Sequence, residues 1–186
     1  LVEALGRVGT PGIVNPLQHV MMGRDLDLKL AAAKAIAATG TADAALRLSL
    51  LKRAPDLGIR FLAWHSLLKM KPRKTAAEFR SALNWLTSEQ VEILGKDPRV
   101  DSAVLEMIAA QGNDEQRFFA VQALRARGEK AATKLLGLLG SSHADTATVS
   151  LEAIAELRKE KSVGTYRKAL KSQHGGVRAA AYQAIG

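Results

Sequence analysis

A chain of 186 residues with 47% hydrophobic content is long enough to bury a sizeable core, and 4% aromatics beside abundant alanine and leucine favour packed helices over strands. The absence of cysteine excludes a disulfide framework, thiolate metal ligation and cysteine catalysis, and no stretch reaches the roughly 18 apolar residues of a membrane helix. The formal net charge of +9 makes anionic partners worth weighing, but it is uneven: +7 up to Thr75, −2 from there to Gly128, and +4 over the remainder.

In chain order, Leu1 to Gly9 reads as the end of a helix closed by glycine. An amphipathic segment from Ile13 to Met22 follows, in which Pro16 predicts a kink; Pro11, Pro55, Pro72 and Pro98 fall near helix starts or in connections. Further amphipathic segments cover Ala42 to Lys52, Thr75 to Leu86, Arg99 to Ala110, Ala131 to Leu139 and Val163 to Leu170. Between them lie helices that repeat one pattern. Gly40, Gly112 and Gly128 are placed to close helices, and Asp27, Asp56, Asp114 and Asp145 to open them.

The pattern is registered on Leu5, Ile36, Leu67, Leu124, Ile154 and Ile185, which are 31, 31, 57, 30 and 31 residues apart. Leu94 divides the long interval, so the period is about 31 residues. One residue before each reference stands Ala4, Ala35, Ser66, Ala123, Ala153 or Ala184, and four before stand Ala32, Ala63, Ala120, Ser150 and Ala181. Small side chains there let neighbouring helices approach closely. Positions three and five before the reference are mostly apolar and complete a core stripe at helical spacing. Two before, the column turns polar with Lys34, His65, Gln122, Glu152 and Gln183; seven before, it is basic with Lys29, Arg60, Arg117 and Arg178. Thr87 to Asp97 is a shortened repeat with Leu94-Gly95 as its remnant, and Ala147 stands where other repeats carry a basic residue.

The strings Asp27 to Ile36, Gly58 to Leu67, Gln116 to Leu124 and Val177 to Ile185 resemble the second helix of HEAT repeats, especially the short bacterial type also found in phycobilisome lyases. The resemblance spans nearly the whole chain. It implies an all-α, α-α superhelix, a right-handed solenoid of about six helix pairs, forming one array over residues 1–186 with an irregular repeat near 87–97. It also implies that the basic column bridges to the aspartates of adjacent repeats and locks the stacking. Solenoids carry polar caps and neither end here looks capped, so further repeats, or another chain packed on the ends, are expected.

Catalytic chemistry is hard to find. His19, His65, His143 and His174 are far apart, and the histidine-glutamate pairs of iron-binding HEAT enzymes are absent. Ser141 to Asp145 holds the residue types of a hydrolytic triad, but consecutively, in what reads as a loop leading into a helix. Gly6, Gly9 and Gly12 lack the strand and the lysine of a phosphate-binding loop. HEAT-like DNA glycosylases place aromatic residues and a carboxylate on a concave face; Trp64 falls instead in the apolar column, and Trp85 on the preceding segment also reads as core or ridge. No cofactor, metal or catalytic residue is therefore expected. The compartment stays open, with the cytoplasm slightly favoured.

The leading expectation is a scaffold that binds a partner protein or peptide on the concave face, through Lys34, Arg60, His65, Lys69, Arg117, Gln122, Arg125, Glu152, Arg178 and Gln183. The alternative is a nucleic-acid module contacting phosphates through Lys71, Arg73, Lys74, Arg158, Lys159, Lys161, Arg167, Lys168 and Lys171. These clusters lack interleaved aromatics for base stacking, so such binding would weaken steeply with salt. A lyase-like HEAT protein follows only from the resemblance.

Overall fold

The computed structural model describes residues 11–70, 76, 78–158 and 162–186. Among these there are eleven α-helices and no strand: α1 (Val14–Met21), α2 (Leu26–Thr39), α3 (Ala42–Leu51), α4 (Leu57–Met70), α5 (Ser88–Lys96), α6 (Ser102–Gln111), α7 (Asp114–Ala126), α8 (Ala132–Leu138), α9 (Ala144–Arg158), α10 (Val163–Ala169) and α11 (Gly175–Ile185). The protein is all-α. The expected Leu1 to Gly9 helix end lies outside the described residues, as does the start of the Thr75 to Leu86 segment. What is described of that segment contains a short 3-10 helix, Phe79–Ala82, whose continuation tightens into a turn as Ala82 O accepts both Trp85 N–H and Leu86 N–H.

Two compact units divide the chain at Phe79 and Arg80. In the first, α1 packs on α2, α3 on α4, and α2 on α4. In the second, α6 packs on α7, α8 on α9 and α10 on α11, while α5, α7, α9 and α11 pack one on the next. This is the helix-pair stacking of an α-α solenoid, in which each repeat buries its apolar face on its neighbours. The reference helices are α2 and α4 in the first unit and α5, α7, α9 and α11 in the second.

The small-residue columns are what permit this contact. Ala32, Ala35, Ala63, Ser66, Ala120, Ser150, Ala153 and Ala181 are buried, as are Ile36, Leu67, Leu94, Leu124 and Ile154 at the reference position. Ile185, in the terminal helix α11, stays partly exposed. The tightest approach is at Gly95 of α5, where a β-carbon would lie 2.4 Å from Ala123 Cβ of α7. The remnant of the short repeat thus keeps glycine because α7 occupies the space of a side chain.

Helix boundaries follow capping chemistry. Asp25, Thr41, Asp56, Thr87, Asp101 and Asn113 each accept a backbone N–H of the first turn, and Thr87 with Gln90 and Asn113 with Gln116 complete capping boxes. The caps of α2 and α7 are therefore Asp25 and Asn113; Asp27 and Asp114, like Asp145, sit in first turns, where their charge complements the helix dipole. Gly40 and Gly128 take left-handed φ values of 64° and 68° and end α2 and the last turn after α7. Pro16 lies in the first turn of α1, where a backbone N–H has no intrahelical partner, so it fits without interrupting the helix.

Candidate partner-binding surface

Arg117 and Arg178 do not form the expected ladder between repeats: their contacts among the described residues stay within their own turn and helix. Arg60 Nε donates to Ala54 O at 2.7 Å, Arg117 Nη1 to Gly112 O at 2.5 Å, and Arg178 Nη1 to Ser172 O at 2.8 Å and Gln173 O at 3.0 Å. Each arginine folds back five or six residues onto the carbonyls of the turn that leads into its own helix. Arg117 also pairs with Asp114 of the same helix, and its side chain is only 11% exposed. Lys29, Arg178 and Asp145 form no ion pair among the described residues. A guanidinium one turn into a helix reaches the turn carbonyls more readily than a neighbouring repeat, and those carbonyls need donors.

Where Ala147 replaces the arginine, the equivalent carbonyl, Ser141 O, lies 3.3 Å from His174 Nε2. His174 precedes α11, so the next repeat supplies the missing donor. His143, in the Ser141 to Asp145 segment, donates its backbone N–H to Ser141 Oγ at 3.1 Å, which fits the reading of that segment as a turn.

The other candidate residues divide between the units. In the first, Lys34 is exposed on α2, while His65 and Lys69 are half-buried on α4, the His65 ring stacking on Phe61 with centroids 5.6 Å apart. In the second, Gln122 and Arg125 on α7, Glu152 on α9 and Gln183 on α11 occupy repeat positions on consecutive packed helices. Arg125 pairs with Glu156 of α9 across the repeat boundary. Trp64 is 4% exposed, with Phe79 edge-on at 5.4 Å and Lys52 Nζ 4.7 Å over its ring, as its place in the apolar column implies. Of the basic clusters, Lys71, Arg73, Lys74, Lys159 and Lys161 lie outside the described residues; Arg158 is half-buried, and Arg167, Lys168 and Lys171 are exposed.

One surface residue escaped sequence reasoning. Phe118 of α7 is 52% exposed and stands beside a cleft of about 140 Å³ between α7 and α9, floored by Val121 and Val149 and flanked by Asp114 and Asp145. The signal lay six residues before the reference, where Leu30, Phe61 and Phe118 form an apolar column beside the core stripe. Two polar residues at the ends of α7 were also missed. Gln116 is 2% exposed and donates through Nε2 to Leu83 O and Leu86 O, at 3.0 and 2.6 Å. Arg127, just past the helix, donates through Nη1 to Val100 O at 2.6 Å and Ser102 Oγ at 3.1 Å, and through Nη2 to Asp97 O at 3.0 Å. Burial lowers the Arg127 pKa, and the nearby Asp101 and Asp97 charges oppose that shift.

Among the described residues there is no group of three side chains able to hold a metal ion, and no helix is long and apolar enough to cross a membrane. No family model and no curated protein matches the chain. Among solved structures, a designed armadillo repeat protein aligns at 17% identity over 99% of this chain and 90% of that one, with a TM-score of 0.32.

Proposed function

We propose that the chain is a non-catalytic, HEAT-type scaffold that docks a partner protein or peptide on the reference helices of the second unit. The observation that carries this reading is Phe118, a large aromatic left half in water beside a small cleft that holds Val121 and Val149 among Asp114, Arg117, Asp145 and Thr146. Aromatic anchors next to small pockets dominate binding energy at protein interfaces, whereas a cleft of about 140 Å³ is too small for most metabolites and suits one side chain. Gln122 and Arg125 on α7 and Glu152 on α9, the two helices that line the cleft, are the polar candidates nearest to such an anchor in the repeat, with Gln183 one helix further on. The HEAT assignment, with its short bacterial variant, rests on the period of about 31 residues and on the helix strings.

The test is selection of peptides from a displayed random library, followed by titration of the enriched ligands against Phe118→Asp and against Glu152→Lys with Gln183→Glu. Both variants change exposed positions and should melt as the parent does. Phe118→Asp is expected to weaken the ligands about tenfold or more. Enriched ligands that bind both variants as tightly as the parent, or a library that yields none, would remove this face as the docking site.

A further inference from the structure

A second cleft, of about 440 Å³, opens in the second unit where the C-terminal ends of α8 and α10 come together. Its volume lies within the range of small-molecule sites. Leu136, Leu139 and Val177 give it an apolar floor, and its polar rim carries Lys168 and Lys171 with the hydroxyls of Thr165 and Ser172. No carboxylate lines it.

Lysines at the end of a helix often serve only to complement its carbonyls. Here those carbonyls have donors of their own: Leu139 N–H reaches Leu136 O, Ser141 N–H reaches Leu138 O, Leu170 N–H reaches Tyr166 O, Lys171 N–H reaches Lys168 O and Ser172 N–H reaches Ala169 O. Neither Lys168 nor Lys171 forms an ion pair among the described residues. Ser172 Oγ accepts the His174 backbone N–H at 3.2 Å, which leaves its own O–H able to donate. The cleft therefore combines two cations with no ion pair among the described residues, two hydroxyls and a compact apolar base.

We propose that this cleft binds a small organic anion, with a phosphate or sulfonate head held by Lys168 and Lys171 and a compact apolar body lying on Leu136, Leu139 and Val177. An apolar floor distinguishes it from a track for consecutive nucleic-acid phosphates, which needs charge along a groove and nothing apolar beneath it. The site is independent of the Phe118 surface.

Calorimetric titration at low ionic strength with phenyl phosphate, inorganic phosphate and benzyl alcohol tests both halves of the cleft. Phenyl phosphate should bind about tenfold tighter than either of the others, since it alone satisfies the cations and covers the floor. Lys168→Glu combined with Lys171→Glu should weaken it about tenfold or more while leaving the melting temperature unchanged, because both side chains are exposed. Phenyl phosphate binding no more tightly than inorganic phosphate, or equally well to the double variant, overturns the proposal. So does an outcome in which the double substitution weakens only a labelled single-stranded RNA, which would make the lysines part of an open phosphate-binding surface.

Discussion

Two stretches of the second unit hold their helices together by different means. From α9 to α11 the repeat is regular, with Ser150 and Ala153 on one helix and Ala181 on the other all buried; Arg178 bonds locally to the carbonyls of Ser172 and Gln173, and His174 reaches Ser141 O in the preceding repeat. From Leu83 to Asp101 the repeat is short, its reference helix α5 has nine residues against fifteen in α9, and the carbonyls of Leu83, Leu86, Asp97 and Val100 turn toward α7. Gln116 at the start of α7 and Arg127 at its end meet them. Side-chain donors from the ends of the next reference helix thus satisfy carbonyls of the short repeat, Asp97 O accepting Val100 N–H as well. Apolar stacking suffices where the period is kept; buried polar contacts are required where it is broken.

The largest effect is therefore expected at Gln116. Gln116→Leu keeps the volume in a column filled elsewhere by Ile59 and Val177, but it strands Leu83 O and Leu86 O and removes the capping box on Asn113. The loss should be about 3 kcal/mol in urea unfolding, from one buried and one part-buried acceptor left unpaired. Hydrogen exchange should speed up in peptides spanning residues 83–126 before any change in those spanning 26–70. A leucine variant as stable as the parent would mean that the short repeat does not depend on its polar contacts.

The regular part of this architecture was legible in the sequence because period and packing are one fact: a helix that must pack on the next at fixed spacing repeats its small and apolar residues at that spacing. Ile36, Leu67, Leu94, Leu124 and Ile154 were identified as core from that alone, and all are buried. Gln116 and Arg127 were not, because each meets carbonyls that are brought to it only once the short repeat has folded; in the sequence Gln116 is an ordinary polar residue near a helix start. The arginine column was legible as a column but not as a contact, since spacing cannot tell an aspartate of the next repeat from a carbonyl five or six residues back. Phe118 was missed because an exposed apolar residue adjoining a core stripe reads as part of that stripe.

Gly95 tests the steric half of the same contrast. Gly95→Ala sets a methyl 2.4 Å from Ala123 Cβ, so α5 and α7 must separate, at a cost of about 2 kcal/mol. Ala123→Gly should restore much of that loss in the double variant, because it clears the contacting atom. Losses that simply add would show that the strain is relieved elsewhere and that this approach does not set the spacing of the short repeat.

The smallest effect belongs to the regular stretch, at His174. If the imidazole stands in for the arginine that Ala147 has displaced, His174→Ala should cost about 1 kcal/mol, the net value of one hydrogen bond, and His174→Gln, which keeps a donor of comparable reach, should recover most of it. Exchange should rise near residues 141–150, around the orphaned Ser141 carbonyl, although the substituted residue lies in the following repeat. Equal losses for the alanine and glutamine variants would instead assign His174 a packing role. The regular repeat would then tolerate an unfilled turn carbonyl, and the demand for side-chain donors would be confined to the carbonyls of the short repeat.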